Sequence, residues 1–225
     1  MNSLRSLSLL IALSSLTALA QTSLVEVQAE PRSSETWQSS VLTGRTVGAG
    51  RFVVHPEIGY PGASVGLIWG QGDRFDLGVR FSGGYGTRLG FGFAPGFGAQ
   101  AVMRWNFVNV HHFSFGARFE PGGFVGVWPG GGVLLVAPVG LDFGIHPHPI
   151  VNVAIGVDAG LGAQFDYLGR GSFVLPFAAG PGVELNITDH LALTLDTRMT
   201  AGWSTPWPDG RGYGLRATLG LAFKN

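Results

Sequence analysis

The feature that most constrains this chain is a two-residue alternation whose faces are reversed from those of a soluble protein. From Tyr213 to Phe223, the residues Tyr213, Leu215, Ala217, Leu219, Leu221 and Phe223 share one parity, and Gly214, Arg216, Thr218, Gly220 and Ala222 share the other. A β-strand sends successive side chains to opposite faces. One face is therefore bulky and apolar, the other small or charged. The same alternation recurs over about 50–60, 63–69, 75–82, 89–107, 113–120, 133–143, 151–161, 173–186 and 191–200. Turn signals separate these runs: Pro61-Gly62, Gly70 to Asp73, Val108 to His112, His146 to Pro149 and Thr188 to His190. Longer links are expected at 83–88, 121–132, 163–171 and 202–212, and Pro95 marks a bulge or bend because it cannot donate to a ladder.

The charges decide which face is wet. Arg51, Glu57, Asp76, Arg80, Arg104, Arg118, Glu120, Asp142, Asp158, Glu184, Asp196, Arg198 and Arg216 all fall on the small-residue parity, with Lys224 at the end. None falls on the bulky parity. An Arg exposed to lipid near mid-membrane costs about 2–4 kcal/mol, so a bilayer selects this exclusion. Trp69, Trp105, Phe107, Phe113, Phe143 and Phe223 then form an interfacial girdle near one end. A soluble sandwich with the apolar face inward would expose a face rich in Gly and poor in solvating charge. The expected fold is all-β: a closed antiparallel transmembrane β-barrel of about ten strands, or eight if the weakest pair is not a pair. Fixing the N-terminus on the periplasmic side makes 70–73, 108–112, 145–149 and 188–190 periplasmic turns.

Composition agrees. Charged residues are 12% of the 225, about half the share usual in a soluble domain. Lys224 is the only lysine, whereas soluble β-proteins use lysine to protect edges. Net charge is zero, so no basic surface for nucleic acid is expected. Cysteine is absent, which removes disulfides and thiolate metal sites. The G-x-G runs alternate within strands and open no helix, so they are not phosphate loops.

Residues 1–20 read as a secretory signal peptide: Arg5, an apolar run from Leu7 to Leu19, and Ala18-Leu19-Ala20 as a cleavage site. Residues 21–44 lack alternation and carry Glu26, Glu30, Arg32 and Glu35. They are expected to be a flexible periplasmic segment. Residues 45–225 are the barrel.

Over about 45–225 the chain resembles the broad class of small bacterial outer-membrane β-barrels. The likeness rests on the leader, the hairpin rhythm, the turn Asn186-Ile187-Thr188-Asp189-His190 and the closing strand Tyr213 to Phe223. It implies residence in the outer membrane of a Gram-negative envelope, contact with its lipid, and handling by the barrel-assembly machinery. Members usually stop at an aromatic residue, whereas Lys224-Asn225 follow Phe223 here. The resemblance is to an architecture, which supplies no activity.

Three constellations are candidates for chemistry. The inward charges form either a self-satisfied plug or a thin polar pathway, with Asp196, Arg198 and Arg216 expected to meet across the last hairpin. His55, Glu57 and Ser64 face inward on the first hairpin and have the types needed for acyl transfer. Ordinary inner-wall polarity is the plainer explanation. His111, His112, His146, His148 and His190 fall in periplasmic turns, where they could bind a transition metal or simply be solvated. The expected role is an envelope-structural or partner-docking barrel with a largely plugged lumen. The alternative is a narrow porin-like channel, and a lipid A or phospholipid acyl hydrolase is less favoured. No cofactor is expected.

Overall fold

A computed structural model describes residues 39–84, 95–127, 132–205 and 211–225. The leader, Trp37, Trp128, Trp207 and the first part of the expected fourth strand lie outside the described residues. Among the described residues, eleven strands follow in chain order. They are β1 (Phe52–Tyr60), β2 (Gly62–Gly70), β3 (Phe75–Gly84), β4 (Gly96–Val110), β5 (Phe113–Phe119) and β6 (Gly122–Gly126), then β7 (Gly132–His148), β8 (Val151–Asp166), β9 (Gly171–Thr188), β10 (Leu191–Thr205) and β11 (Arg211–Lys224). No helix among the described residues is long and apolar enough to cross a membrane.

Consecutive strands pair antiparallel, except β5 with β6, and β1 pairs with β11 to close the sheet on itself. β5 and β6 both lie between β4 and β7 and fill one position in the wall. The barrel thus has ten wall positions, which selects the ten-strand count. The stretch 121–132 was expected to be loop throughout, but its first part is wall. Pro121 interrupts the strand because it lacks an N–H. The ladder resumes at once: Ala101 N–H donates to Pro121 O at 2.9 Å and Glu120 N–H to Pro138 O at 3.0 Å.

Several boundaries differ from the sequence expectation for the same reason. A ladder continues for as long as its partner offers hydrogen bonds, whatever the side chains. β4 runs to Val110, leaving His111-His112 as the turn, and β7 runs through His146 to His148. β8 and β10 extend to Asp166 and Thr205. Within the described part of β4 a bulge falls at Phe107, between Asn106 and Val108. Pro95 precedes β4, and its carbonyl accepts the Val127 N–H at 2.8 Å. The long β8–β9 hairpin closes through Asp166, whose carboxylate accepts the N–H groups of Leu168 and Arg170. Desolvation pushes that carboxyl up, but these amides and the Arg170 guanidinium together outweigh it and hold it below the usual carboxylate range.

The expected faces hold along the walls. Ile58, Phe81, Leu135, Ile155, Leu195 and Leu219 point outward and are exposed. Glu57, Asp76, Arg80, Arg104, Arg118, Asp142, Asp158, Glu184, Asp196, Arg198, Arg216 and Lys224 point inward and are buried. Aromatic pairs line the outside near the short turns: Phe52 with Trp69 at 5.2 Å, Phe75 with Trp105 at 5.3 Å, and Phe115 with Phe143 at 4.8 Å between ring centroids.

Candidate functional site: the lumen

The lumen holds three kinds of lining, stacked along the barrel. At its waist lies an ionic belt. Strand alternation aims one acidic or basic residue inward from most wall positions, and the registers bring them level. Arg80 reaches Glu120 at 2.7 Å and Glu57 at 3.9 Å. Arg118 reaches Asp158 at 2.6 Å and Asp142 at 3.3 Å. Arg198 reaches Asp158 at 2.7 Å, Asp196 at 3.1 Å and Asp142 at 3.7 Å. Arg216 pairs with Asp196 across the last hairpin. Ser64 and Thr218 donate to Glu57, and Gln100 Nε2 donates to Glu120 O. A cavity of about 10 Å³ remains beside Arg118, Glu120, Asp158 and Arg216, room for roughly one water molecule.

Glycine makes this density possible. Gly156 faces the Arg198 guanidinium, and a Cβ built there would collide with three of its atoms. Gly140 stands in the same relation to Asp158 and Arg118. A planar guanidinium lies flat on backbone only where the side chain is a hydrogen. Gly156→Val will therefore displace Arg198 and lower barrel stability by about 1–3 kcal/mol through overpacking. The urea midpoint of unfolding from lipid vesicles reads this, and an unchanged midpoint would mean that the packing is looser than described.

Towards the long-loop end the inner face turns apolar. Phe124, Leu134 and Val174 form one buried cluster, and Val136 packs on Ala178. Sequence reasoning missed this patch. Its signal was visible in Val133-Leu134-Leu135-Val136, a run without alternation that must put apolar groups on both faces.

Towards the short-turn end lies a polar layer. Asp76 pairs with Arg104 at 3.4 Å, and Glu184 with Lys224 at 2.7 Å. His55 Nε2 is within 2.9 Å of Thr194 Oγ1. Residues 39–47 sit inside this layer. Ser40, Leu42, Thr43 and Val47 are buried, and Val47 packs among Val53, Ile68, Ala192 and Ala222. Residues 39–44 thus depart from the mobile segment expected for 21–44. The ordering follows from the inner glycines and polar groups, which leave a space that wall side chains do not fill. The available clue was the small-residue run from Ser39 to Gly50, charged only at Arg45 and placed directly before the first strand.

The other candidates fare differently. Arg51 precedes β1 and is exposed. Glu57 and Ser64 meet directly at 2.8 Å, while the Nε2 of His55 is engaged by Thr194. A nucleophile relay needs the imidazole between the acid and the serine, and that order is not built here. His112 lies beside His146, its Nδ1 3.1 Å from His146 O. His111 and His112 touch edge to face at 4.4 Å. His148 Nδ1 accepts the Ile150 N–H, and His190 Nδ1 lies 3.1 Å from Lys224 O. His146, expected in a turn, is buried in the wall with its nitrogens on Asn152 and Ser114. Among the described residues no three His, Cys, Asp or Glu side chains are placed to hold a metal ion.

A closed antiparallel wall, apolar outside and ionic within, defines a transmembrane β-barrel of the outer-membrane class. Among solved structures, the chain is similar to an outer membrane channel from Pseudomonas putida F1, with 11% identity, a TM-score of 0.38, and coverage of 87% of this chain and 100% of that one. It is also similar to Ail, the attachment invasion locus protein of Yersinia pestis, with 14% identity, a TM-score of 0.22, and coverage of 79% and 99%. No protein-family model and no curated protein matches the chain.

Proposed function

We propose that this outer-membrane barrel is a non-conducting element of the envelope, whose plugged lumen stabilises a wall that braces the membrane or docks partners at its rims. The observation that supports this best is the ionic belt. Four buried guanidinium groups and five buried carboxylates engage one another across the waist, beside a cavity of about 10 Å³. Breaking one member of such a network leaves an uncompensated buried charge, which is strongly unfavourable. A hydrated ion would have to part these pairs to pass. The short turns mark the periplasmic end, as is general for barrels of this class.

Conductance of the purified protein in a planar lipid film tests the proposal, once heat-dependent gel migration has confirmed the folded barrel. The expected record is flat. Discrete steps from the unaltered protein would overturn it and favour the second reading, a narrow channel for ions or small solutes. That reading draws on the one-water cavity, which is bordered by both signs of charge. A lipid-modifying role would require a catalytic set other than His55, Glu57 and Ser64.

A further inference from the structure

The wall closes through its own strands, and the belt fills the waist. Neither needs Ser39–Gly48 inside the lumen, yet that segment is fitted there closely. It makes no strand pairing with the wall, since the first described strand begins at Phe52. Wall side chains meet its backbone instead. The carbonyls of Ser40, Thr43 and Arg45 converge on Arg104 Nη2, at 3.0, 2.9 and 2.6 Å. Asn106 Nδ2 donates to Gly44 O at 2.6 Å. The Val47 N–H meets both oxygens of Asp76 at 3.1 Å. Glu184 accepts from Ser40 Oγ and the Val41 N–H, and Lys224 Nζ donates to Ser39 O. The lateral fit is equally tight. A Cβ on Gly44 would lie 2.5 Å from Gly116 N and from the Phe115 carbonyl carbon, and Thr43 packs where Gly144 has no side chain.

We propose that the short-turn half of the lumen is a binding seat for one bent peptide segment, filled by the chain's own Ser39–Gly48 as a releasable plug, with Arg104 as its carbonyl clamp. The seat reads backbone: three carbonyls on one guanidinium, an amide on Asp76, and a residue without a side chain against Gly116. Release follows from the kind of contact. Hydrogen bonds to the wall groups can be exchanged for hydrogen bonds to water, and the buried apolar anchors of the segment are Leu42 and Val47. Withdrawal bares Asp76, Arg104, Glu184 and Lys224 to water while the wall ladder stays whole. This goes beyond the closed-lumen reading and is separable from it. The belt blocks ions whether or not the plug is seated, so conductance reports on the belt and accessibility on the plug.

The chain has no cysteine, so Thr43→Cys places a single thiol at a residue only 1% exposed. The full-length barrel in lipid vesicles is treated with a membrane-impermeant maleimide. Labelling of Thr43→Cys alone is expected to be slow. Adding Gly44→Val, which alters the plug and not the wall, should speed it roughly tenfold or more, as a locally opened segment exchanges freely. Arg104→Gln should act in the same direction from the wall side. Fast labelling of Thr43→Cys alone would show that the segment is not seated. Slow labelling in a folded Gly44→Val barrel would show that it does not release, and failure of that variant to assemble would make the segment an obligatory core. Slow labelling in folded Arg104→Gln would remove Arg104 as the clamp.

Discussion

Asp158→Ala will lower the stability of the folded barrel by about 3–5 kcal/mol, the usual cost of leaving buried charges without their partner. Asp158 is the shared acceptor of the belt. Its Oδ1 takes Arg118 Nη2 at 2.6 Å and its Oδ2 takes Arg198 Nη1 at 2.7 Å. Both guanidinium groups are buried and cannot turn to solvent. Asp142 and Asp196 remain beside them but already serve the same arginines. The urea midpoint of unfolding from vesicles measures the loss. Asp166→Ala is the control: it removes the exposed pair with Arg170 and the bonds from the Leu168 and Arg170 N–H groups in the hairpin loop, and should cost no more than about 1 kcal/mol. Equal effects from the two substitutions would show that water reaches the belt.

The adjacent residue supplies the second large effect with the opposite chemistry. Val157 lies one position from Asp158 and points outward, 45% exposed. On the wall of a soluble protein, Val157→Arg would be nearly neutral. On a lipid-facing wall near mid-membrane it costs about 2–4 kcal/mol. The same titration reads it, and an unchanged midpoint would sink the assignment of the outer face to lipid. Together the pair asks whether one step along a strand carries the chain from hydrocarbon into an ionic interior.

Much of this was readable along the chain. The parity of Asp76, Arg80, Asp142, Asp158, Asp196 and Arg198 is a local property, because a strand's period of two assigns faces without knowledge of its neighbours. The meeting of Asp196 with Arg216 was also within reach, since those residues sit on consecutive strands of one hairpin. Other contacts were not. Arg80 reaches Glu120, Arg118 reaches Asp158 and Arg198 reaches Asp158 over separations of forty residues each. These depend on the stagger between strands and on the closure of β1 against β11, neither of which leaves a local mark. His146 was misplaced for a related reason. His-Pro-His-Pro looks like a turn, yet the ladder of β7 carries it to the end of the wall, where Asn152 and Ser114 hold the imidazole.

The amino-acid order by itself determined the strands, the side of the wall each side chain faces, and hence the lipid setting, because alternation and charge exclusion act residue by residue. Only the tertiary structure decided what the inward groups do. Barrel closure sets their distances across the lumen. That geometry turned separate charges into a belt, set Thr194 against the His55 imidazole, and drew Ser39–Gly48 into a space that glycine had left open.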